Sequence, residues 1–119
     1  MLTGVLLQES LKELSVIERL RIIKSDSWEA ANAADFQPRV WTALSFEVDE
    51  LQAEAVIEEL SHALKTPGWY IDARQADQVI VIFPERVFRY KRGDPAGKIA
   101  VQAYARASGI PLTQIDWGD

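Results

Sequence analysis

The sequence contains no cysteine. That one absence excludes disulfides, thiolate zinc sites, iron–sulfur clusters and cysteine nucleophiles, and it fits a reducing compartment. Histidine occurs once, at His62, so a first-row metal site would need carboxylates for its other ligands. A histidine-dependent serine triad would have to use His62, and no Gly-x-Ser-x-Gly segment accompanies it. The expectation is therefore no metal and no cofactor. Hydrophobic runs are short as well. None approaches the roughly 18 apolar residues of a membrane span. The cluster Val5-Leu6-Leu7 lacks a basic stretch before it, and Glu9 follows too soon for a secretion signal. The chain reads as cytoplasmic, with no membrane association. Positive charge is in deficit: 13 Lys and Arg against 18 Asp and Glu leave a net charge of −5. An acidic chain repels phosphate backbones at long range, which disfavours nucleic-acid partners.

What is present suits an ordinary globular domain. The 119 residues are 48% hydrophobic and 26% charged, enough to build one core, so residues 1–119 read as a single domain. The N-terminal portion carries mixed signals. Ser10 with Glu13 and Ser15 with Glu18 match capping boxes, which suggests a short helix near residues 10–15, followed by a strand over about 18–28. The stretch Ala30–Pro38 has no clear period and separates this portion from a better-patterned remainder.

From Val40 to Val48, apolar residues alternate with polar ones as in a half-buried strand. Asp49 then caps a helix running to about Leu64, with the stripe Ala53, Val56, Ile57, Leu60 and Leu64. Thr66-Pro67-Gly68 ends it. A three-stranded meander follows: Trp69–Arg74, a turn at Ala76-Asp77, the continuous apolar run Val79–Phe83 expected to be covered on both faces or to lie under a helix, a type I turn at Pro84-Glu85, and Arg86–Lys91. Asp94 and Pro95 open a second helix, whose Ala100, Ala103 and Ala107 form a small-residue face suited to close packing on the sheet. Gly109 and Pro111 close it. Strands and helices are not in strict βαβ alternation, so the fold class is α+β: a mainly antiparallel sheet with two helices packed on it. The order from residue 40 is compatible with a ferredoxin-like sandwich carrying additional N-terminal elements.

Several segments invite chemistry. His62 lies in one helical row with Glu54 and Glu58, where Glu58 and His62 could share a metal or a proton or simply stand as an exposed i, i+4 couple. Gly93-Asp94-Pro95-Ala96-Gly97-Lys98 resembles a phosphate loop, but it has three residues between its glycines instead of four and Ile99 where Ser or Thr belongs. Asp94 as a helix cap explains it better. The tripeptide Arg92-Gly93-Asp94 is too short to carry an adhesion reading. In Arg86–Arg92, Arg86, Phe88, Tyr90 and Arg92 share one face of a strand and Val87, Arg89 and Lys91 the other. Such interleaving suits an anionic ligand, and equally an edge strand protected by its cations. Asp72, Glu47 and Arg74 could cluster if their strands pair. Trp41, expected opposite the core face, and Trp69, at a strand start, are candidates for an exposed interface pair, unless the N-terminal segment covers that face of the sheet as well.

Two function classes fit. The favoured one is a non-enzymatic interaction or regulatory module that self-associates through a sheet edge or through the face bearing Trp41 and Trp69. The other is a binding domain or enzyme for a small anionic ligand held by Arg74, Arg86, Arg89, Tyr90 and Arg92.

Overall fold

The computed structural model describes residues 1–118, in the order β1 (Leu2–Leu7), β2 (Arg21–Glu29), β3 (Val40–Val48), α1 (Glu50–Ala63), β4 (Ile71–Gln75), β5 (Gln78–Phe83), β6 (Arg86–Lys91) and α2 (Pro95–Ala107). Short 3-10 turns occupy Gln8–Ser10, Leu14–Arg19 and Leu112–Gln114. All six strands form one sheet in the order β2-β3-β1-β4-β5-β6, with every pairing antiparallel. The class is α+β, as the patterning implied.

β1 sits between β3 and β4, so β3 and β4 run parallel and α1 carries the chain across the inserted strand. That is one split β-α-β unit. The ferredoxin-like expectation goes no further. A sandwich of that kind needs both helices on one face, and here they lie on opposite faces. Ala53, Val56, Ile57 and Leu60 of α1 pack in one cluster with Leu2, Leu6, Phe46, Ile71, Ile80 and Ile82. Val101 and Ala105 of α2 pack in the other with Val79, Val81, Phe83 and Tyr90. The alternate residues of β5 thus feed two cores, which explains its unbroken apolar run.

The strand expected over 18–28 is β2, but the helix expected near 10–15 does not form. Its backbone is used elsewhere: Lys12 N–H donates to Ala63 O at 2.8 Å and Lys65 N–H donates to Ser10 O at 2.8 Å. Those bonds dock the segment beside the end of α1, where Leu11 forms a bridge with Leu64. Ser10 Oγ meanwhile donates to Leu7 O at 2.6 Å and caps nothing.

The strand that sequence patterning missed is the central one. β1 is short and interrupted by Gly4, and its glycine is a packing requirement. A Cβ there would stand 2.8 Å from Asp72 O, 2.8 Å from Phe46 Cζ and 2.9 Å from Ala73 Cβ.

Three smaller expectations are corrected. Asp49 occupies the N-cap position of α1 but makes no side-chain cap hydrogen bond, so its contribution there is its charge beside the helix N-terminus. The Pro84-Glu85 turn has Glu85 at φ 62°, the positive value of a type II turn rather than type I. Ala100, Ala103 and Ala107 are exposed. The side of α2 that meets the sheet is the row Gly97, Val101 and Ala105, and a Cβ on Gly97 would approach Tyr90 Cβ to 2.7 Å.

Candidate functional site

The residues first suggested as an anionic-ligand site do not converge. Arg86 lies over the Phe88 ring with its guanidinium carbon 4.8 Å from the centroid, and 5.4 Å from that of Tyr104, a cation–π arrangement on the α2 face. Arg89 points to the opposite face, where Nη2 donates to Glu54 Oε2 on α1 at 2.8 Å. Tyr90 is 6% exposed and its hydroxyl accepts from Trp117 Nε1 at 2.8 Å. Arg74 pairs with Asp72 and donates to Gly118 O. Arg92 is exposed beyond the end of β6. The C-terminal segment thus lies across the ground between Arg74 and Tyr90. Asp72 does share a face with Arg74 and Glu47, but Glu47 takes Arg21 on β2 instead, at 2.6 Å.

The tail is fastened further along. Gln37 and Gln114 form a buried, reciprocal amide pair at 3.0 and 2.7 Å. Gln37 Nε2 also donates to Gly68 O, and Gln114 Nε2 to Asn32 O. This joins the 30–38 loop, the turn after α1 and the tail. Tyr70 hydroxyl donates to Gln114 O at 2.6 Å. Burial, reinforced by the nearby Asp72 and Asp116 carboxylates, pushes that hydroxyl above its usual range, so it remains a donor.

The Gly93–Lys98 segment acts as a cap: Asp94 Oδ1 accepts from Gly97 N–H at 3.2 Å. His62 stands at the open groove between α1 and the β5–β6 turn, with Nδ1 2.8 Å from Glu85 Oε2 and Nε2 3.7 Å from Glu58 Oε1. The hydrogen bond to Glu85, then its charge, raise the imidazole pKa above the ordinary 6.5. The pairing stabilises the fold while His62 is protonated. That contribution is complete below pH 6.5 and is lost as pH rises through the raised folded value. An NMR titration of His62 is expected to give a midpoint above 6.5 that falls toward it in Glu85→Gln. A midpoint indifferent to that substitution would mean that the pair does not persist in solution. Among the described residues no group of three or more His, Asp or Glu side chains could hold a metal, and no helix is long and apolar enough to cross a membrane.

The expected exposed tryptophan pair is buried. Trp41 is 6% and Trp69 7% exposed, and their ring centroids are 5.8 Å apart. Trp41 does face away from α1, as the alternation implied, but the 30–38 loop closes over it, and its Nε1 donates to Pro38 O at 2.9 Å. The tryptophan left at the surface is Trp28, directly across from Trp41 on β2 and 43% exposed.

Trp28 belongs to the least covered part of the molecule. All nine residues of β2 are exposed, and β2 pairs only with β3. Its outer row of N–H and C=O groups therefore faces away from the sheet. On the face opposite α1, the β1–β3 half of the sheet carries no helix, and Val5 is 43% exposed there. Val40, on the α1 face, is 55% exposed; Ile23, at the shift in the β2–β3 register, is 59% exposed. The opposite edge is different. β6 is held from both sides, with Tyr90 in one core and Val87 against the other. Sequence reasoning did not single out Lys24, Ser25, Asp26 or Trp28. The available signal was a strand with apolar residues at Ile22, Ile23 and Trp28 and no partner pattern on either face.

No family model, curated protein or solved structure matches this chain.

Proposed function

We propose that the protein is a non-catalytic interaction module that self-associates through the open end of its sheet, formed by β2 with the adjoining face of β3 and β1. The observation that carries this reading is β2: a nine-residue strand, exposed at every residue, at an edge of the sheet with no strand beyond it. An unpaired strand edge is a template for another chain, and proteins that do not use it normally cover it or keep it short. Around the edge stand Trp28, Ile23, Val40 and Val5, large apolar side chains that gain by leaving water. The anionic-ligand alternative has no comparable support, because Arg74, Arg86 and Arg89 are each engaged within the chain and Arg89 lies on the opposite face from Arg86, while Arg92 stands exposed beyond the end of β6.

Sedimentation velocity over a wide concentration range tests the reading. The average mass of the native chain is expected to rise with concentration, and that of an Ile23→Lys, Trp28→Ala chain to stay at the monomer value. Ile23 is 59% exposed, while Trp28 is 43% exposed and gives up its edge-to-face contact with Trp41, so the variant should lose about 1 kcal/mol of stability and remain folded, which circular dichroism of the same sample checks. A native chain that is monomeric throughout would overturn the reading.

A further inference from the structure

We propose that β2 pairs with β2 of a second copy of this chain, antiparallel about a two-fold axis through Ser25, so that Lys24 of each copy faces Asp26 of the other. This rests on the self-association reading and assigns its register.

The register follows from which residues share a face. Lys24, Asp26 and Trp28 lie opposite Ser45, Ala43 and Trp41 on β3, on the face away from α1. Ser25, Ser27 and Glu29 lie opposite Leu44, Thr42 and Val40, on the α1 face. The contacts agree: Ser27 Oγ is 3.0 Å from Thr42 Oγ1, and the Trp28 and Trp41 rings meet edge to face at 6.5 Å. Residues directly opposed across an antiparallel pair point to the same face. A two-fold axis that continues the sheet must therefore pass through a residue, which then meets its own copy.

Charge separates the choices. An axis through Lys24 opposes two ammonium groups, and one through Asp26 opposes two carboxylates. An axis through Ser27 sets Asp26 against Trp28 and Ser25 against Glu29, with no opposite-charge pair. With the bulged Ile23 left out of the count, the axis through Lys24 brings Arg21 opposite Asp26, but it opposes the two ammonium groups at its centre; the axis through Ser25 opposes unlike charges twice and no like pair. Directly opposed unlike charges favour a register and like charges disfavour it. Ser25 is also the midpoint of Arg21–Glu29, and with the bulged Ile23 left out this register pairs Arg21 through Trp28, more of the strand than an axis through Ser27 does.

The bulge fits the same arrangement. The register of β2 against β3 shifts between Ile22 and Lys24. With the extra residue at Ile23 taken out of the count, Arg21 of one copy comes opposite Trp28 of the other. Both lie on the face away from α1, Arg21 opposite Glu47 and Trp28 opposite Trp41, so a guanidinium meets an indole. Lys24 and Asp26 are already neighbours within one strand, with Nζ 3.3 Å from Oδ2 and 68% and 58% of each side chain exposed. Pairing two copies would join two such couples into a ring of four alternating charges. A seam of this kind has little apolar core, so the association is expected at the weak, concentration-dependent end.

The absence of native cysteine makes the test clean. Ser25→Cys is expected to form a disulfide-linked dimer under mild oxidation at concentrations where the native chain associates, because opposed Cα atoms in an antiparallel pair lie within disulfide reach. Ser27→Cys is expected not to. Lys24→Asp and Asp26→Lys should each raise the dissociation constant on the order of tenfold, and the doubly exchanged chain should recover most of the loss, with melting unchanged at concentrations where the chain is monomeric. Cross-linking at Ser27 instead of Ser25, or single exchanges without effect on a native dimer, would overturn this register and leave self-association standing. A native chain that never associates would overturn both.

Discussion

Replacing Trp117 by Ala is expected to cost about 3–5 kcal/mol of folding free energy, the range for removing a buried large aromatic side chain. Trp117 is only 5% exposed and packs in the core on the α2 face with Val79, Val81, Phe83 and Val101. Its ring meets that of Tyr70 edge to face, with centroids 5.2 Å apart, and its Nε1 donates to Tyr90 hydroxyl at 2.8 Å. Trp117→Phe separates the two contributions. It keeps most of the ring packing and removes the indole hydrogen bond, so it should cost only about 1–2 kcal/mol. Urea unfolding followed by circular dichroism reads both. A loss below about 1 kcal/mol for Trp117→Ala would mean that the tail is not part of the core. The anionic-ligand reading would then regain its ground, since Trp117 and Gly118 would no longer lie between Arg74 and Tyr90.

The second large effect is expected at Gly4, where the sign matters as much as the size. Strand propensity alone makes Gly4→Val favourable by up to about 1 kcal/mol, because valine suits a strand and glycine does not. The packing says the reverse. A Cβ would come within 2.8–2.9 Å of Asp72 O, Phe46 Cζ and Ala73 Cβ. One of those atoms is backbone in the neighbouring strand, and Phe46 is 1% exposed and has nowhere to go. Gly4→Val is therefore expected to destabilise by roughly 3 kcal/mol, at the upper end of overpacking costs, and Gly4→Ala by less with the same sign. The urea midpoint should fall with little change in slope. A stabilised Gly4→Val would show that β1 and Phe46 are not packed together in solution.

From β3 onward, most of the chain could be read locally. The alternation of Val40–Val48, the stripe Ala53–Leu60, the turn at Ala76-Asp77, the run Val79–Phe83 and the Asp94-Pro95 helix start all correspond to elements observed within a few residues of their expected bounds. These are features in which backbone geometry and side-chain periodicity agree within one segment, so a short window of sequence contains the whole cause. The same logic did not reveal that β2 would stand uncovered: a strand was legible there, and only the structure leaves all nine of its residues exposed.

What the chain does over long separations was decided only by tertiary structure. β1 became the central strand because two neighbours, β3 and β4, could each pair with it while Gly4 made room for Phe46. Residues 10–12 gave up a helix because Ala63 and Lys65 supply better backbone partners than a single helical turn could. Trp41 and Trp69 were buried, and Trp28 was not, because a loop and a tail joined by Gln37 and Gln114 close over one end of the sheet and leave β2 outside. The sequence by itself determined the α+β class, the two helices, the meander and the exclusion of thiol chemistry, since composition and period are local quantities. Strand order, the opposite placement of the two helices and the choice of the exposed edge depend on which segments meet across the chain, and periodicity within a segment carries no information about its partners.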